Sequence, residues 1–498
     1  MDILQSLGQG FLVVFEPLNI FMALLGCVIG LLVGVLPGLG PSAAIAILLP
    51  VTYGLNPATS IIMLTAIYYG AMFGGGITSI LINTPGENSA VMTAVEGYPL
   101  ALQGKGALAL RISLLACFIG GTVSVIGLTV LAQPIAVFAL KFGPPEYFAL
   151  MCMGLAAVVF VGGSTVPKCL ASGLFGLLLG AIGTEPISGS DRLTFGLLSL
   201  ADGIPFIVAA MGLFAAGEVL VNVEENFKLD EVKQKISNIW PSKKDLKHCS
   251  GGFTVGTVTG FILGSLPGAG PTISAFLGYA IEKARMRGKG NWGKGEIAGI
   301  AAVESAANAA TGGSMLPLLT LGVPGSGATA VLLGAFIMYG LRPGPLLFTQ
   351  APDVAWGTIA SMYFGNLLIV LLSMPLVPLF TAMLKIPYSI LYPGILVVCV
   401  IGAYSLTNTI FPVILFFIFS VIGYIMKKLD IPAAPAVLAL ILGPMVESSL
   451  SQSLTMSHGS PLIFFTRPVS LVLMLIIFGF MFAPLIKKVV ARSRRAPA

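Results

Sequence analysis

Charge is what this chain most conspicuously lacks. Of its 498 residues 9% are charged and 56% hydrophobic, and the mean hydropathy is +0.98. A water-facing globular surface needs roughly 25% charged residues, so a soluble fold is excluded. Long apolar stretches recur from end to end, many reaching the roughly 17–25 residues that a spanning helix requires. The fold class is therefore an all-α polytopic membrane protein. Histidine is scarce too. There are two, with no HExxH and no GxxxxGK[ST] run, which leaves zinc chemistry and nucleotide hydrolysis without support. Six cysteines (Cys27, Cys117, Cys152, Cys169, Cys249, Cys399) are scattered without disulfide or metal spacing and read as small core residues. No paired aspartates or Ser/His constellation supports an intramembrane enzyme. The N-terminus MDILQSLGQG is acidic rather than basic, and no cleavable signal peptide is expected.

Basic residues are absent from 1–104, and where they do occur they orient the chain, because Lys and Arg collect on the cytoplasmic side. The densest groups are six lysines in 222–248, five Lys/Arg in 283–294 and five in the tail 487–495. The net charge of +6 reflects this topology rather than nucleic-acid binding. About 11 crossings follow, near 58–103, 108–133, 147–164, 170–183, 201–221, 296–341, 355–384, 388–403, 408–427, 432–446 and 468–486. This layout puts 22 basic residues inside and four (Lys141, Arg192, Arg342, Arg467) outside. The C-terminus is then cytoplasmic and the N-terminus periplasmic.

One stretch, 253–282, carries basic loops at both ends and so returns to the side it came from. It reads as a re-entrant hairpin turning at LPGAGP and entered from the cytoplasm. Its echo, 19–53, turns at LPGLGP, has no basic flank, and reads as a hairpin entered from outside. Each is followed by a glycine-rich helix interrupted by Pro-Gly, in 74–91 and 312–331. Weaker echoes pair 142–155 with 384–396 and 176–186 with 439–449. The expected organisation has an interfacial segment (1–18), a first repeat (19–221) of hairpin, broken helix and four helices, and a cytoplasmic linker (222–249). A second, inverted repeat (250–449) and a final helix with basic tail (450–498) complete it. Inverted-topology repeats with discontinuous helices are a hallmark of secondary transporters.

Broken backbone at membrane depth is tolerated where it is buried in protein or lines a watery cavity. A break frees N–H groups that attract anions and C=O groups that attract cations. With no basic residue in 1–104, a carboxylate at the first hairpin must be held by backbone dipoles, hydroxyls, amides or a co-bound cation. Pro41 and Pro271 fit a first helical turn, and Ser42 and Thr272 fall at or beside the cap. The substrate-binding candidates are Pro37, Gly38, Gly40 and Ser42 at the first tip, and Pro267, Gly268, Gly270 and Thr272 at the second. Asn83, Pro85, Gly86, Asn308, Pro324 and Gly325 join them at the helix breaks. The cation-binding candidates are Thr78, Ser79, Glu87, Asn88, Ser274, Glu304, Ser314 and Thr320, an oxygen set suited to a hard cation such as Na⁺. Gly, Ser and Thr also let membrane helices pack closely, so packing stays open as the role of any single break. Glu146, Glu185, Glu218 and Glu447 sit at expected helix ends, where capping or packing is their ordinary role.

Taken together, GVLPGLGPSAAIAILLP, YGAMFGGGITSILINTPGE, KFGPPEYFAL, IGTEPISGSDRLTFG, GLFAAGE, VESAANAATGGSMLPLLTLGVPGSGATAVLLGAF and GLRPGPLLF resemble the tripartite tricarboxylate transporter large membrane subunit, the TctA family. The resemblance runs from about residue 15 to 490. It implies a bacterial inner-membrane permease for carboxylates such as citrate, working with a small four-helix membrane subunit and a periplasmic solute-binding protein. It also implies an elevator-type architecture, Na⁺ as coupling ion, no ATP and no other cofactor. Three positions depart from or modify the family pattern: the acidic-Gly pair falls at Glu96-Gly97, Ala307 replaces an asparagine, and Ser451 replaces a basic residue. The alternatives are a carrier of another organic anion working without a binding protein, and an ion channel. Two hairpins entering from opposite faces argue against the channel.

Overall fold

The computed structural model of the chain describes residues 3–36, 39–161, 166–185, 189–224, 240–287, 289–383 and 388–479. The candidates Pro37 and Gly38 lie outside them.

The described chain is helical apart from turns and one two-stranded ribbon, 183–184 against 191–192. Its first part runs α1 (Ile3–Val14), α2 (Pro17–Val35), α3 (Pro41–Leu48, extended by a 3₁₀ turn to Thr52), α4 (Pro57–Ile82), α5 (Val91–Leu100), α6 (Gly106–Ala139), α7 (Pro144–Val161) and α8 (Val166–Gly180). Helices α9 (Phe206–Ala210) and α10 (Gly217–Glu224) are joined by a π-helical stretch into one segment, 206–224. The second part runs α11 (Lys243–Gly264), α12 (Gly270–Arg285), α13 (Ile297–Leu321), α14 (Gly327–Met338), α15 (Leu347–Gln350), α16 (Pro352–Met383), α17 (Tyr388–Ser405), α18 (Phe411–Lys428), α19 (Ala434–Met456), α20 (Ile463–Thr466) and α21 (Pro468–Gly479). Among the described residues seven helices are long and apolar enough to cross a membrane, and seven shorter ones are strongly apolar. This is a multi-pass membrane protein.

Two helices form the centre. Every residue of α4 from Thr59 to Ile82 is buried, as is every residue of α13 from Ala298 to Thr320. A helix apolar on all sides must be surrounded by others. α2 packs along α4, and α11 along α13, at very close range. The reason is a glycine every fourth residue: Gly26, Gly30 and Gly34 on α2 and Gly256, Gly260 and Gly264 on α11. A Cβ at Gly30 would come within 2.5 Å of the Ile67 carbonyl oxygen, and one at Gly264 within 2.5 Å of that of Ala310. Only glycine permits such backbone approach. The outer helices cross over between the two parts, α6 packing on α13 and α16 on α4. Likewise α8 packs on α19, and the 206–224 segment on α18.

Start and stop chemistry explains the element bounds. Asn56 caps α4 by accepting from the Thr59 N–H at 2.8 Å, ahead of Pro57. A Ser242/Asp245 capping box starts α11 at Lys243, so residues 243–249 of the expected linker are its first turns. α1, twelve residues long, lies against α16 with Gly10 on the Trp356 backbone. The arms flanking each tip are unequal, 19 and 8 residues for α2 and α3 against 22 and 16 for α11 and α12.

Candidate functional site

The two tips build matching helix starts. The N-cap of α3 is Gly40 and that of α12 is Ala269, and neither supplies a side chain to the first N–H groups. Ser42 and Thr272 therefore sit inside the first turn rather than at the cap, because Pro41 and Pro271 occupy the opening helical positions. The second tip needs glycine twice, with Gly268 at φ +82° and Gly270 at φ +55°. A Cβ at Gly268 would lie 2.6 Å from the Val158 N and Cα of α7, so this tip is wedged against that helix. The Gly268 N–H donates to the Gly325 carbonyl oxygen at 3.2 Å, tying tip to break.

The two breaks share the same backbone conformation at corresponding positions. α4 ends at Asn83 (φ 54°, ψ 29°) and α13 at Gly322 (φ 71°, ψ 21°), both left-handed C-caps. Four residues on, Glu87 (φ −147°, ψ 168°) and Ser326 (φ −150°, ψ 170°) hold the same extended backbone. Their side chains do different work. The Ser326 hydroxyl accepts from the Thr329 N–H in a capping box and lies 3.1 Å from the Tyr68 hydroxyl, which reaches Ser314 Oγ at 3.3 Å. Glu87 has Ala90 where Ser326 has Thr329, makes no cap, and its Oε1 is buried without a hydrogen-bond partner among the described residues.

Tips and breaks meet around one cavity of about 890 Å³. Gly40 and Ser42 line it from the first tip, and Gly268, Gly270 and Thr272 from the second. Pro85, Gly86, Glu87 and Asn88 line it from the first break, and Ser326 and Gly327 from the second. Four irregular segments far apart in the chain thus share one space, with the N-termini of α3 and α12 at its wall.

The remaining candidates stand behind this wall. Pro267 and Gly325 are buried turn residues, Gly325 against Gly264 and Ser314, with Pro324 beside it; Asn83 is an exposed C-cap. The Ser79 and Thr320 hydroxyls donate to the carbonyls of Gly75 (2.9 Å) and Leu316 (2.7 Å), Ser274 to Gly270 (2.8 Å), Ser314 to Thr311 (2.9 Å) and Thr78 to Gly75 (3.3 Å). Such back-bonding satisfies a hydroxyl within its own helix. Glu304 lies deep between helices, accepting from Thr93 Oγ1 (2.5 Å) and Cys117 Sγ (3.2 Å). Asn308 donates to the Glu304 carbonyl (3.0 Å) and contacts Cys117 Sγ at 2.8 Å. Cys117 is therefore a bridging group as well as a buried one. These residues shape the backbone around the cavity without lining it.

Other lining residues carried no expectation of a site. Tyr68 comes from the middle of α4, and Leu213, Phe214 and Glu218 from GLFAAGE. Lys427 comes from the end of α18, Pro432 and Ala433 from the turn after it, and Ala434 and Pro435 from the start of α19. Glu218 Oε2 is 2.7 Å from Lys427 Nζ. The GLFAAGE motif was a visible signal for part of this set, but nothing in the sequence linked it to Lys427, 209 residues away from Glu218 by their numbers.

Comparison with known proteins accords with this architecture. Residues 20–438 match the family described as Tripartite tricarboxylate transporter TctA family. The chain is 40% identical over 470 residues, 94% of either chain, to a protein of Agrobacterium vitis described as "Uncharacterized 52.8 kDa protein in TAR-I ttuC' 3'region". It is 41% identical over 211 residues (42% of this chain, 87% of the relative) to an Agrobacterium vitis protein described as "Uncharacterized protein in TAR-II ttuC' 3'region". No solved structure matches. With the family match spanning most of its length, this chain belongs to the tripartite tricarboxylate transporter TctA family.

Proposed function

We propose that the chain is the large permease subunit of a binding-protein-dependent secondary transporter, importing citrate-like carboxylates across a bacterial inner membrane by cation symport. The observation that carries this reading is the cavity where both tips and both breaks converge. Uncapped helix N-termini offer N–H groups to an anion without the desolvation cost of a buried lysine. The element order of α2–α4 and α11–α13, with matching breaks after each, supports two repeats, and the basic clusters that flank the second hairpin alone support their opposite orientation. In this reading the hairpin tips and breaks move together against the outer helices.

Coupling follows from the charges. The charged side chains lining the cavity, among the described residues, are Glu87, Glu218 and Lys427. With Glu87 ionised, two carboxylates against one ammonium leave a net negative wall for a solute that is itself an anion. A solute carboxylate about 4 Å from Glu87 meets a repulsion of about 4 kcal/mol at an effective dielectric of about 20. That is close to a thousandfold in affinity. A cation entering beside Glu87 removes the penalty, so solute and cation bind together; a hard, oxygen-preferring Na⁺ suits the carboxylate and carbonyl groups there. A small membrane subunit and a periplasmic binding protein complete the transporter.

The test is uptake of labelled citrate into proteoliposomes, with and without the two partner subunits and an inward Na⁺ gradient. Uptake that needs both supports the reading. Uptake indifferent to both refutes it.

A further inference from the structure

The Glu218–Lys427 pair lies where no sequence motif placed a charge-recognition site, and three observations set it apart. First, it lines the cavity shared by the tips and breaks, whereas the neighbouring pairs Lys428–Glu224 (2.8 Å) and Lys168–Asp430 (3.7 Å) do not. Second, Lys427 is the cationic side chain in that lining among the described residues. Third, the helices carrying the pair are locked: a Cβ at Gly217 would meet Gly423 at 2.8 Å, and one at Gly423 would meet Leu213 Cα at 2.8 Å. The pair is thus held at a fixed point of the wall. Within it Glu218 is largely covered (13% exposed) while Lys427 keeps half its side-chain surface open (53%).

The geometry points to Lys427 as the residue that receives a carboxylate of the solute, with Glu218 as the resident counter-ion that the solute displaces. This deepens the proposed function and rests on its carboxylate reading. In the empty cavity Glu218 holds the half-open ammonium of Lys427 in a charge-assisted hydrogen bond. An incoming carboxylate offers the same charge-assisted hydrogen bond. The exchange keeps Lys427 paired at every stage. A solute with two or more carboxylates can meet Lys427 with one and the uncapped N–H groups of α3 or α12 with another. A monocarboxylate satisfies one end alone, so the pair selects for di- and tricarboxylates.

The experiment is direct binding of citrate, malate and acetate, in the presence of Na⁺, to the purified full-length chain by calorimetry. Five proteins are compared: wild type, Lys427→Gln, Lys427→Arg, Glu218→Gln and Lys428→Gln. Melting temperature without ligand reports folding. Lys427→Gln is expected to weaken citrate binding at least tenfold, and Lys427→Arg to stay within about threefold of wild type. Glu218→Gln removes the competitor and is expected to tighten binding. Lys428→Gln makes the same charge change one residue away, outside the lining, and is expected to shift affinity less than threefold. Acetate is expected to bind far more weakly than citrate in every protein. Lys427→Gln and Glu218→Gln shifting affinity in the same direction, or Lys427→Gln behaving like Lys428→Gln, overturns the assignment. If Lys427→Gln does not fold, looser binding by Glu218→Gln overturns it alone. Wild type binding none of the three overturns the carboxylate reading and the assignment together. Wild type binding citrate while the variants behave as a structural pair overturns only the assignment.

Discussion

Replacing Gly268 by alanine tests how the second tip is held. At φ +82° an L-residue costs about 1–2 kcal/mol of backbone strain. The new Cβ falls 2.6 Å from Val158 N and Cα and 2.7 Å from Ala157 C, all backbone of α7, so a rotamer change cannot relieve the contact. Overpacking of this kind costs about 1–3 kcal/mol more. The sum, about 2–5 kcal/mol, opposes seating the tip against α7 and Gly325. At 1.4 kcal/mol per decade, even the lower bound shifts the equilibrium between seated and unseated tip about thirtyfold. The matched control is Gly40→Ala at the first tip. Its φ is −69°, and the nearest atom to its Cβ is Glu87 Cβ at 4.0 Å, so that change is sterically free. Citrate binding by calorimetry and thermal unfolding in detergent measure both variants. Gly268→Ala should melt below wild type and bind citrate more weakly, by about thirtyfold where the tip is only marginally seated, while Gly40→Ala should melt like wild type. A Gly268→Ala protein with wild-type melting and wild-type affinity refutes the argument.

Three further outcomes are expected. Glu87→Gln should fold normally yet lose the Na⁺ dependence of citrate uptake, read as a flat initial rate over a Na⁺ series; an unchanged Na⁺ response counts against the coupling role of that carboxylate. Glu96→Gln should lower the melting temperature and expose loop 289–296 to protease. The Glu96 carboxylate accepts from the N–H groups of Gly293 (2.6 Å), Gly295 (3.0 Å) and Glu296 (2.8 Å) and from the Tyr279 hydroxyl (2.7 Å), and an amide would turn a donor on that cluster at a cost of about 1.5–3 kcal/mol. Cysteines introduced at Asn291 and Ser190 should be labelled by impermeant reagents from opposite sides of the membrane, and labelling from one side would overturn the charge-derived orientation.

The breaks were the most legible part of the site. LPGLGP, LPGAGP and the two Pro-Gly interruptions are short-range signals, because proline and glycine state their backbone requirements locally. Four such signals end at one cavity, and Glu87 is marked by being a carboxylate in an otherwise neutral run. The polar residues of α13 were less legible for the opposite reason. In VESAANAATGG the sequence shows Glu304 and Asn308 but hides Thr93 and Cys117, which satisfy Glu304 from elements about 200 residues earlier. The hydroxyls of Ser79, Ser274 and Thr320 likewise found their partners one turn back. Glu218–Lys427 was illegible as a pair: each residue alone fits a helix end, and only the packing of 206–224 on α18 brings them together. The unequal arms of the tips were hidden too, since apolar runs do not reveal where a helix stops.

The central claim is that solute and coupling cation occupy the cavity between the tips and breaks. Thr272→Cys places a thiol on its wall, and the measurement is the rate of modification by a small thiol reagent, read over the wild-type background. Citrate and Na⁺ together are expected to slow modification strongly, and either alone to slow it little. A rate unchanged by citrate and Na⁺, in a variant that still takes up citrate, would place the solute elsewhere and contradict the account.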